Sequence, residues 1–195
     1  MKTVCLVDVD EVLCDFVGGA FKAHGIDPVE ARAKWPANVW SMEQYLDLTE
    51  DEFWEPIHAM GEEFWINLAV HPWAHGVIDL VARNYDEWFL ATKPSRDPYC
   101  YAGKAIWIKR LLGDHFDNYF TVRHKHRLAK PGWTLIDDNP STVEAFMREG
   151  RGYAIQGKPP AHGILFPGVG NSLRAHMDDP VAYLRNQIDL HHALL

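Results

Sequence analysis

Short apolar runs recur along the chain between stretches of helical periodicity. The first run, residues 3–7, is rich in β-branched side chains and has no polar residue after Thr3. Such a run is typical of a strand that is buried on both faces, as in a parallel sheet. Similar runs follow at residues 87–92, 118–122, 133–138 and 152–155. The pattern therefore predicts five strands.

Helical patterns separate these runs. Residues 74–85 and 103–113 carry apolar side chains at helical spacing, and Gly113 is placed to end the second of these helices. Strands that alternate with helices are typical of an α/β fold with a mainly parallel sheet. We therefore predict a three-layer, Rossmann-like α/β sandwich.

Capping signals mark a further helix after the fourth run. Ser141 is placed as an N-cap, and Glu144 lies three residues later as its capping-box partner. Gly150 is placed to end the helix. We therefore expect a helix over residues 141–150.

About seventy residues between the first two runs do not follow the alternation. This segment looks helical and aromatic, and it repeats the tripeptide Glu-Phe-Trp eleven residues apart. One unbroken helix would place both copies on the same face, but Gly61 lies between them and argues against an unbroken helix. We interpret residues 16–75 as a small helical cap, inserted into a core domain formed by residues 1–15 and 76–195.

The charge balance limits the class of ligand. The chain of 195 residues has 27 acidic and 19 basic side chains, which gives a formal net charge of -8. An acidic protein is not suited to binding polymeric nucleic acid, because phosphate binding needs a positive field. A phosphorylated ligand would need positive charge focused locally, by a few Lys or Arg side chains or by a metal ion.

Cysteine usage and hydropathy indicate the compartment. The cysteines Cys5, Cys14 and Cys100 are scattered, with no CxxC motif, so we expect reduced thiols. The apolar run at the start is broken by Asp8, which does not suit a signal peptide. No apolar segment approaches the length of a membrane span. We therefore expect a soluble, cytoplasmic protein without a membrane partner.

Polar and charged residues stand where the first four predicted strands end. The carboxyl ends of parallel strands lie on one edge of a sheet, where ligands bind in open α/β folds. The residues at these ends are Asp8 and Asp10, Thr92 and Lys93, Arg123, His124 and Lys125, and Asp137 and Asp138. We expect four carboxylates, a hydroxyl and a lysine to meet there.

Four carboxylates at one point would repel one another unless a positive charge lay among them. A hard dication with oxygen ligands is the simple answer, and Mg²⁺ is the usual one alongside phosphates. A carboxylate can attack phosphorus, and a second can protonate the leaving oxygen. Thr and Lys side chains can bind the phosphate oxygens. The constellation predicts phosphoryl transfer through a covalent aspartate.

These motifs resemble those of one known family. Asp8-Val9-Asp10 followed by Val12 resembles the first motif of the haloacid dehalogenase superfamily, in its phosphatase form. Thr92 is similar to the second motif, a lysine before the fourth strand to the third, and Asp137-Asp138 to the fourth. Within the superfamily, the stretches "DVDEVLCDF", "GKAIWIKRLLG" and "LIDD" resemble the 5′(3′)-deoxyribonucleotidases, which carry a small helical cap after the first motif.

The resemblance implies a role for each matching residue. Asp8 would be the nucleophile, and Asp10 the general acid/base. Thr92 and the lysine of the third motif would hold the phosphate. Mg²⁺ would be bound by Asp8, by the backbone carbonyl of Asp10, by Asp138 and, through water, by Asp137.

The third motif requires a phosphate-binding lysine, and two further residues near the site depart from the family pattern. We assign the third motif to Lys125, with Lys130 as the alternative. Glu11 replaces the glycine that is usual after Asp10, and Lys93 follows Thr92 where the nucleotidases carry serine. Both departures add charge near the site, and we include Lys93 among the substrate-binding residues.

Aromatic side chains divide into candidates for stacking and for the core. Phe16 falls where the nucleotidases place an aromatic ring against the base, and Trp54 and Trp65 are further candidates, since aromatic faces bind bases well. We expect core positions for the remaining tryptophans considered, which are Trp35, Trp40, Trp73 and Trp107. His124 and His126 flank Lys125, so a place beside the site is open to them, but we favour a surface loop.

The predicted activity is Mg²⁺-dependent hydrolysis of phosphomonoesters, with (deoxy)nucleoside monophosphates as the expected substrates. Another small phosphorylated metabolite, transfer of the phosphoryl group to an alcohol, and an inactive binding module remain open alternatives. The expected partner is the small substrate rather than polymeric nucleic acid. A homodimer is compatible with the sequence.

Overall fold

A computed structural model describes residues 2–36 and 39–193 of the chain. Five strands form one sheet in which every neighbouring pair is parallel. The strands are β1 (Val4–Val7), β2 (Glu87–Thr92), β3 (Tyr119–Thr121), β4 (Trp133–Asp137) and β5 (His162–Leu165), and their order across the sheet is β3-β2-β1-β4-β5. The predicted α/β fold with a parallel sheet is confirmed.

The first strand lies at the centre of the sheet because it is apolar on both faces. All four residues of β1 are buried, and Val7 is paired with Leu90 of β2 on one side and Ile136 of β4 on the other. The chain runs from β1 through β2 to β3 in one direction and from β4 to β5 in the other, so the strand order reverses between β1 and β4. Ligands of open α/β sheets bind at such a reversal.

Helices cover both faces of the sheet. They are α1 (Phe16–Ala23), α2 (Pro28–Ala33), α3 (Met42–Leu46), α4 (Glu50–Met60), α5 (Glu62–Ile66), α6 (Ala74–Asn84), α7 (Pro98–Leu112), α8 (Pro140–Gly150), α9 (Gly152–Ile155) and α10 (Pro180–His192), with 3₁₀ turns at Lys125–Leu128 and Arg174–His176. Residues 2–36 and 39–193 contain no helix that is long and apolar enough to cross a membrane.

Two hydrophobic clusters lie on opposite faces of the sheet, as the alternation of side chains along a strand requires. Cys5 and Val7 belong to the larger cluster, which also takes in residues of α1, α4, α5, α6, α7 and α10. Leu6 belongs to the smaller cluster, together with Leu135 and with Phe146 of α8. The aromatic segment after β1 therefore packs into the same core as the sheet.

The fifth strand was predicted at the wrong place. Residues 152–155 form the short helix α9, and Ile155 is 91% exposed. Arg151, which joins α8 to α9, keeps helical backbone angles and donates its N–H to the carbonyl of Met147. The strand β5 lies seven residues beyond the end of α9, where it pairs with β4.

The sequence hides β5 because a histidine and a glycine take the place of apolar residues in its first half. Gly163 stands in the middle of β5, and a Cβ atom there would lie 2.8 Å from Cγ1 of Val143 and 3.0 Å from Cγ of Met147. The glycine lets α8 pack closely against the strand, and it also breaks the apolar pattern that would reveal the strand.

The N-cap of α8 is Asn139 rather than the predicted Ser141. The Asn139 side chain accepts hydrogen bonds from the N–H groups of Ser141 and Thr142. Pro140 then occupies the first helical position, where its missing N–H and fixed φ are favourable. The predicted helix start was therefore two residues late, although Gly150 is the last helical residue.

Candidate active site

Asp8 is held where β1 ends beside β4. Its N–H donates to the carbonyl of Ile136 at 2.9 Å, and a side-chain oxygen accepts the N–H of Val9 at 2.7 Å. The carboxylate is 6% exposed. The backbone of the strand therefore fixes this acidic group rigidly at the edge of the sheet.

Lys125 joins the two strands through its ammonium group. Its Nζ lies 2.6 Å from Oδ1 of Asp8 and 2.7 Å from Oδ2 of Asp137. Burial opposes the charge of this group, but the nearby carboxylates of Asp137 and Asp8 outweigh burial, so the pKa of Lys125 is raised. The lysine is thus charged at all ordinary pH values.

Lys130, the alternative for the third motif, lies elsewhere. Its Nζ is 4.4 Å from the ring centre of Trp133, and its side chain is exposed. The structure therefore brings Lys125 to the carboxylates and leaves Lys130 at the surface.

Three carboxylates cluster around this lysine. Oxygen atoms of Asp8, Asp137 and Asp138 lie within 4.8 Å of one another. Burial, together with the charges of Asp137 and Asp10, raises the pKa of Asp8 to about 7 although Lys125 opposes the shift. Burial and the charges of Asp137 and Asp8 also raise the pKa of Asp138.

Three carboxylates surround a single lysine, so the lysine does not balance the negative charge of the cluster when the three are ionised. A hard divalent cation with oxygen ligands would balance it. The residues Asp8, Asp137 and Asp138 therefore fit a magnesium ion in both their chemistry and their spacing.

Asp10 has a lysine of its own, which the sequence analysis missed. Lys104 of α7 is paired with the Asp10 carboxylate, and its Nζ lies 2.8 Å from Oγ1 of Thr92 and 3.1 Å from the carbonyl oxygen of Lys93. Thr92 is fully buried. Lys104 therefore links the hydroxyl of Thr92 to the carboxylate of Asp10.

A signal for Lys104 was present in the sequence. Lys104, Trp107 and Ile108 follow the spacing of one helical face, and all three are buried. A lysine on the apolar face of a helix needs a buried carboxylate partner, and no pattern showed which carboxylate that partner would be.

Glu11 lies in the turn between β1 and α1, and its carboxylate is bound by neighbouring groups of the protein. Its φ of 59° is in the left-handed region, where the usual glycine would meet no penalty. Its buried carboxylate accepts the N–H of Val17 at 2.8 Å and lies 3.7 Å from Arg32, which also pairs with Asp15. Burial raises the pKa of Glu11 to about 7 although Arg32 opposes this.

A cavity of about 750 Å³ opens above these groups. Asp8, Asp10, Lys125 and the two acids at the end of β4 line it, and so do aromatic rings of the segment between β1 and β2. The ring of Phe16 stacks on that of Trp65, with centres 5.9 Å apart and planes inclined by 20°, and it lies 6.0 Å from Trp54. Trp65 is 1% exposed, so Phe16 and Trp54 present more surface to the cavity.

One expectation about the cavity-lining residues was wrong. Trp40 was expected in the core, but it is 39% exposed and lines the cavity. His124 and His126 both line the cavity, and His124 is exposed while His126 is partly buried, so the place beside the site that the sequence left open is the one they occupy. Lys93 lines the cavity with an exposed side chain, as a substrate-binding residue would.

The other tryptophans expected in the core are buried or nearly so. Trp35 is 4% and Trp107 is 3% exposed. Trp73 is partly buried, and its indole N–H donates to the carbonyl of Val12. Trp35 also contributes to the cavity wall.

The fold can be compared with those of known proteins. No protein-family model and no curated protein sequence matches this chain. A hydrolase from Streptococcus pneumoniae TIGR4 superposes with a TM-score of 0.50 and 15% identity, over 91% of this chain and 98% of that one. A HAD family hydrolase from Deinococcus radiodurans R1, with bound phosphate and sodium, gives a TM-score of 0.51 and 13% identity, over 94% of this chain and 88% of that one.

The chain has the haloacid dehalogenase fold. In this chain, the haloacid dehalogenase fold brings Asp8 and Asp137 together because their strands are neighbours and end at the same level. The alignment of these two ends follows from the register of Val7 with Ile136.

A second residue missed by the sequence analysis completes this edge of the haloacid dehalogenase fold. Asn171 is buried, and its side-chain N–H groups donate to the carbonyls of Asp138 and Phe166, each at 2.8 Å. Its side-chain oxygen accepts the N–H of Leu173 at 2.9 Å. Asn171 thereby fixes the backbone after β4 against the backbone after β5, and no local pattern reveals a partner 33 residues away.

Proposed function

We propose that this protein is a Mg²⁺-dependent phosphatase that hydrolyses phosphomonoesters through an aspartyl-phosphate. The observation that carries this proposal is the ion-paired group at the ends of β1 and β4, in which Lys125 lies between Asp8 and Asp137. A nucleophilic carboxylate needs a fixed position and a nearby positive charge, and this group supplies both.

The first half of the proposed reaction transfers the phosphoryl group to the protein. An oxygen of Asp8 attacks phosphorus and forms an acyl-phosphate bond, while the bond between phosphorus and the alcohol oxygen breaks. Asp10 in its protonated form gives its proton to the leaving oxygen. Lys104, which also donates to the Thr92 hydroxyl, holds the Asp10 side chain in position for this step.

The second half of the proposed reaction releases inorganic phosphate. Asp10, now a carboxylate, takes a proton from a water molecule, and the oxygen of that water attacks phosphorus. The bond to Asp8 breaks, and its carboxylate returns to Lys125. Asp8, Asp137 and Asp138 would hold Mg²⁺, which supplies positive charge to the phosphate oxygens when bound.

The bound phosphate and sodium of the Deinococcus radiodurans structure support this proposal. That protein shares the fold, and it holds an anion of the expected class together with a cation. The same chemistry in the present chain would use the carboxylates and lysines at the ends of its own strands.

We further propose that the substrates are nucleoside monophosphates, with deoxyribonucleotides first. The support for this is the aromatic wall of Phe16, Trp54 and Trp65 in a cavity that also holds Asp8. Small-molecule sites measure roughly 300–1,000 Å³, and the cavity of about 750 Å³ has room for a nucleotide.

Phosphate release is the measurement that tests this function. A panel of nucleoside 5′- and 3′-monophosphates and sugar phosphates would be incubated with Mg²⁺ and, separately, with EDTA. We expect Mg²⁺-dependent release that is greatest for deoxyribonucleotides and absent for Asp8→Asn. Steady turnover by folded Asp8→Asn would refute the nucleophile assignment, and release from sugar phosphates alone would refute the nucleotide specificity.

A further inference from the structure

Three positively charged side chains line the cavity away from the acidic cluster. Lys93 and Arg96 belong to the loop between β2 and α7, and Arg123 follows β3. All three side chains are exposed. We call these three residues the cationic rim.

The cationic rim differs from Lys125, which also lines the cavity, because the charges of the rim are not in ion pairs. Lys125, Lys104 and Arg32 each form an ion pair with a carboxylate. Among residues 2–36 and 39–193, no acidic partner lies within ion-pair distance of Lys93, Arg96 or Arg123. Unpaired positive charge inside a cavity of a protein with a net charge of -8 attracts an anionic ligand.

The backbone that carries the cationic rim is held in place. The N–H of Val122 donates to the carbonyl of Thr92 at 2.9 Å. Asp97 caps α7 by accepting the N–H of Tyr99 at 3.0 Å, and a guanidinium nitrogen of Arg123 lies 3.5 Å from the carbonyl oxygen of Ser95. The two loops therefore form one surface at the ends of neighbouring strands.

The sheet sets the distance between this surface and Asp8. The strand β3 is the second neighbour of β1, and neighbouring strands are about 4.8 Å apart, so their axes are separated by about 10 Å. In a diphosphate, the second phosphate is bonded directly to the phosphate that reacts at Asp8. It would therefore lie too close to Asp8 to be bound by the cationic rim. A phosphate on another carbon of a pentose or hexose would extend in that direction.

Besides the acids at the ends of β1 and β4, further acidic residues line the cavity from another part of the chain. Glu43, Glu50 and Asp51 line the cavity from α3 and the start of α4. An anionic group of a ligand is repelled from these residues and attracted to the rim, which fixes the orientation of the ligand.

We infer that the preferred substrates carry a second phosphate: a bisphosphorylated small molecule whose two phosphates are attached to different carbon atoms, such as a nucleoside bisphosphate, is hydrolysed more efficiently than the matching monophosphate. One phosphate reacts at Asp8, and the other is bound by Arg96 and Arg123, with Lys93 beside them. Arginine suits this role because its planar guanidinium can bind phosphate with two parallel hydrogen bonds. The inference rests on the proposed hydrolysis of phosphomonoesters and deepens it, because it adds a second phosphate to the substrates that the site prefers.

The test compares matched pairs of substrates with Mg²⁺ present: deoxyadenosine 5′-monophosphate with deoxyadenosine 3′,5′-bisphosphate, and fructose 6-phosphate with fructose 1,6-bisphosphate. For at least one pair we expect kcat/KM of the bisphosphate to exceed that of the monophosphate at least about tenfold, as charge-assisted hydrogen bonds would give. The preference should shrink as salt is raised from about 0.05 M to about 0.5 M. Equal kcat/KM values in both pairs would overturn the inference.

The double variant Arg96→Gln/Arg123→Gln tests whether the preference for the bisphosphate arises from the cationic rim. We expect it to lower kcat/KM for the preferred bisphosphate about tenfold more than for its monophosphate, mainly through KM. The matched control is Arg127→Gln, because Arg127 is exposed in the same segment but is not one of the cavity-lining residues. Equal losses for both substrates, or the same effect in Arg127→Gln, would assign the preference to something other than the rim.

Calorimetric titration separates failure of the inference from failure of the proposed function. If no compound of the panel released phosphate, the proposed function would be wrong. The same pairs would then be titrated into wild-type protein and the double variant. A bisphosphate bound about tenfold more tightly by the wild type alone would support the anion site, and equal affinities would overturn it.

Discussion

Two aspartates lie one residue apart, and each has a different buried lysine. Lys125 reaches Asp8 from a 3₁₀ turn, whereas Lys104 reaches Asp10 from α7. The two carboxylates are therefore placed in different surroundings despite their proximity in the sequence. Such a separation suits two groups that have different roles in a reaction.

Replacing Lys104 should disable Asp10. Lys104→Met removes the partner of the Asp10 carboxylate and the donor to Thr92, so we expect kcat for phosphate release to fall about 10²-fold or more. Because the Asp10 carboxylate would lose its charged partner, the free energy of unfolding should also fall by about 3–5 kcal/mol. Activity and urea unfolding would be measured beside Lys109→Met, an exposed position on the same helix. A folded Lys104→Met with kcat within threefold of wild type would contradict this role.

The two candidate phosphate-binding lysines should respond very differently to replacement. Lys125→Ala removes the cation between Asp8 and Asp137, and we expect kcat/KM to fall about 10²–10³-fold. Lys130→Ala removes a surface contact with Trp133 and should leave kcat/KM near the wild-type value. The opposite order of effects would transfer the role to Lys130.

The stacking role proposed for Phe16 separates nucleotides from smaller substrates. Phe16→Ala exposes the face of Trp65 and removes a ring from the cavity wall. Stacking on a base contributes about 1–3 kcal/mol, so we expect KM to rise about tenfold for nucleotides and much less for a small aryl phosphate. Leu46→Ala, a partly buried change outside the cavity lining, is the control. Equal rises for both substrates would remove the stacking role.

The acidic residues of the site could be predicted because strand and motif coincide in the sequence. Asp8 and Asp137 each close an apolar run, so their position at the sheet edge followed from the strand pattern alone. Lys104 could not be matched to Asp10 in this way, because the two are 94 residues apart. The contact depends on how α7 is rotated against the sheet, which a single sequence does not specify.

Among the elements, the contact between α5 and α7 is the closest helix packing beside the cavity. A Cβ atom on Gly103 would lie 2.5 Å from Cβ of Trp65 and 3.0 Å from the carbonyl oxygen of Glu62. The absence of a side chain at this position lets α7 approach the helix that carries Trp65. The aromatic wall and Lys104 therefore depend on one glycine.

Filling this contact should destabilise the protein. Gly103→Ala forces α5 and α7 apart, and we expect the free energy of unfolding to fall by about 1–3 kcal/mol, although alanine favours helix. The control Gly152→Ala adds a Cβ with no atom within 4 Å, so it should leave stability unchanged or raise it by up to about 1 kcal/mol. Urea unfolding compares them. A gain in stability for Gly103→Ala would contradict the close approach.

Four of the five strands were predicted, and the exception has a physical reason. β1, β2, β3 and β4 contain unbroken apolar or aromatic runs. β3 and β5 are both edge strands, but β3 is the run Tyr-Phe-Thr, whereas β5 begins with His162 and Gly163. Its pattern could not be distinguished from a loop, whereas the exposed apolar residues of α9 imitated a strand.

At the scale of the whole molecule, histidines pack where β5 meets the last helix. The rings of His162 and His191 are parallel, with centres 3.8 Å apart. Burial, together with the neighbouring His162 and His192, lowers the pKa of His191 from 6.5 to about 4. Burial also lowers the pKa of His162. The fold therefore holds both rings in the neutral form.

This pair should make stability depend on pH in the acid range. Above pH 6.5, His191 is neutral in the folded and unfolded chains alike, so its full contribution is present. As pH falls from 6.5 towards about 4, the unfolded chain takes up a proton that the folded chain resists, and stability is lost. The urea midpoint should fall less between pH 7.5 and pH 5 in His191→Gln than in wild type.

A control isolates this histidine from the other titrating groups. His115→Gln changes an exposed histidine and should keep the wild-type dependence on pH. The carboxylates of the site titrate equally in all three proteins, so the difference between His191→Gln and wild type reports His191. Parallel pH profiles for wild type and His191→Gln would contradict the proposed coupling.

The central position of β1 has a consequence for the synthesis of the chain. Both neighbours of β1 come later in the sequence, and β4 ends at Asp137. At roughly 5–20 residues per second, a ribosome needs about 6–26 s to make the roughly 130 residues between Val7 and Asp137. During that time the apolar strand that carries Asp8 has no complete sheet to enter. The nascent chain therefore exposes this apolar segment before its neighbouring strands have been made. We expect chaperones to bind the segment during that time.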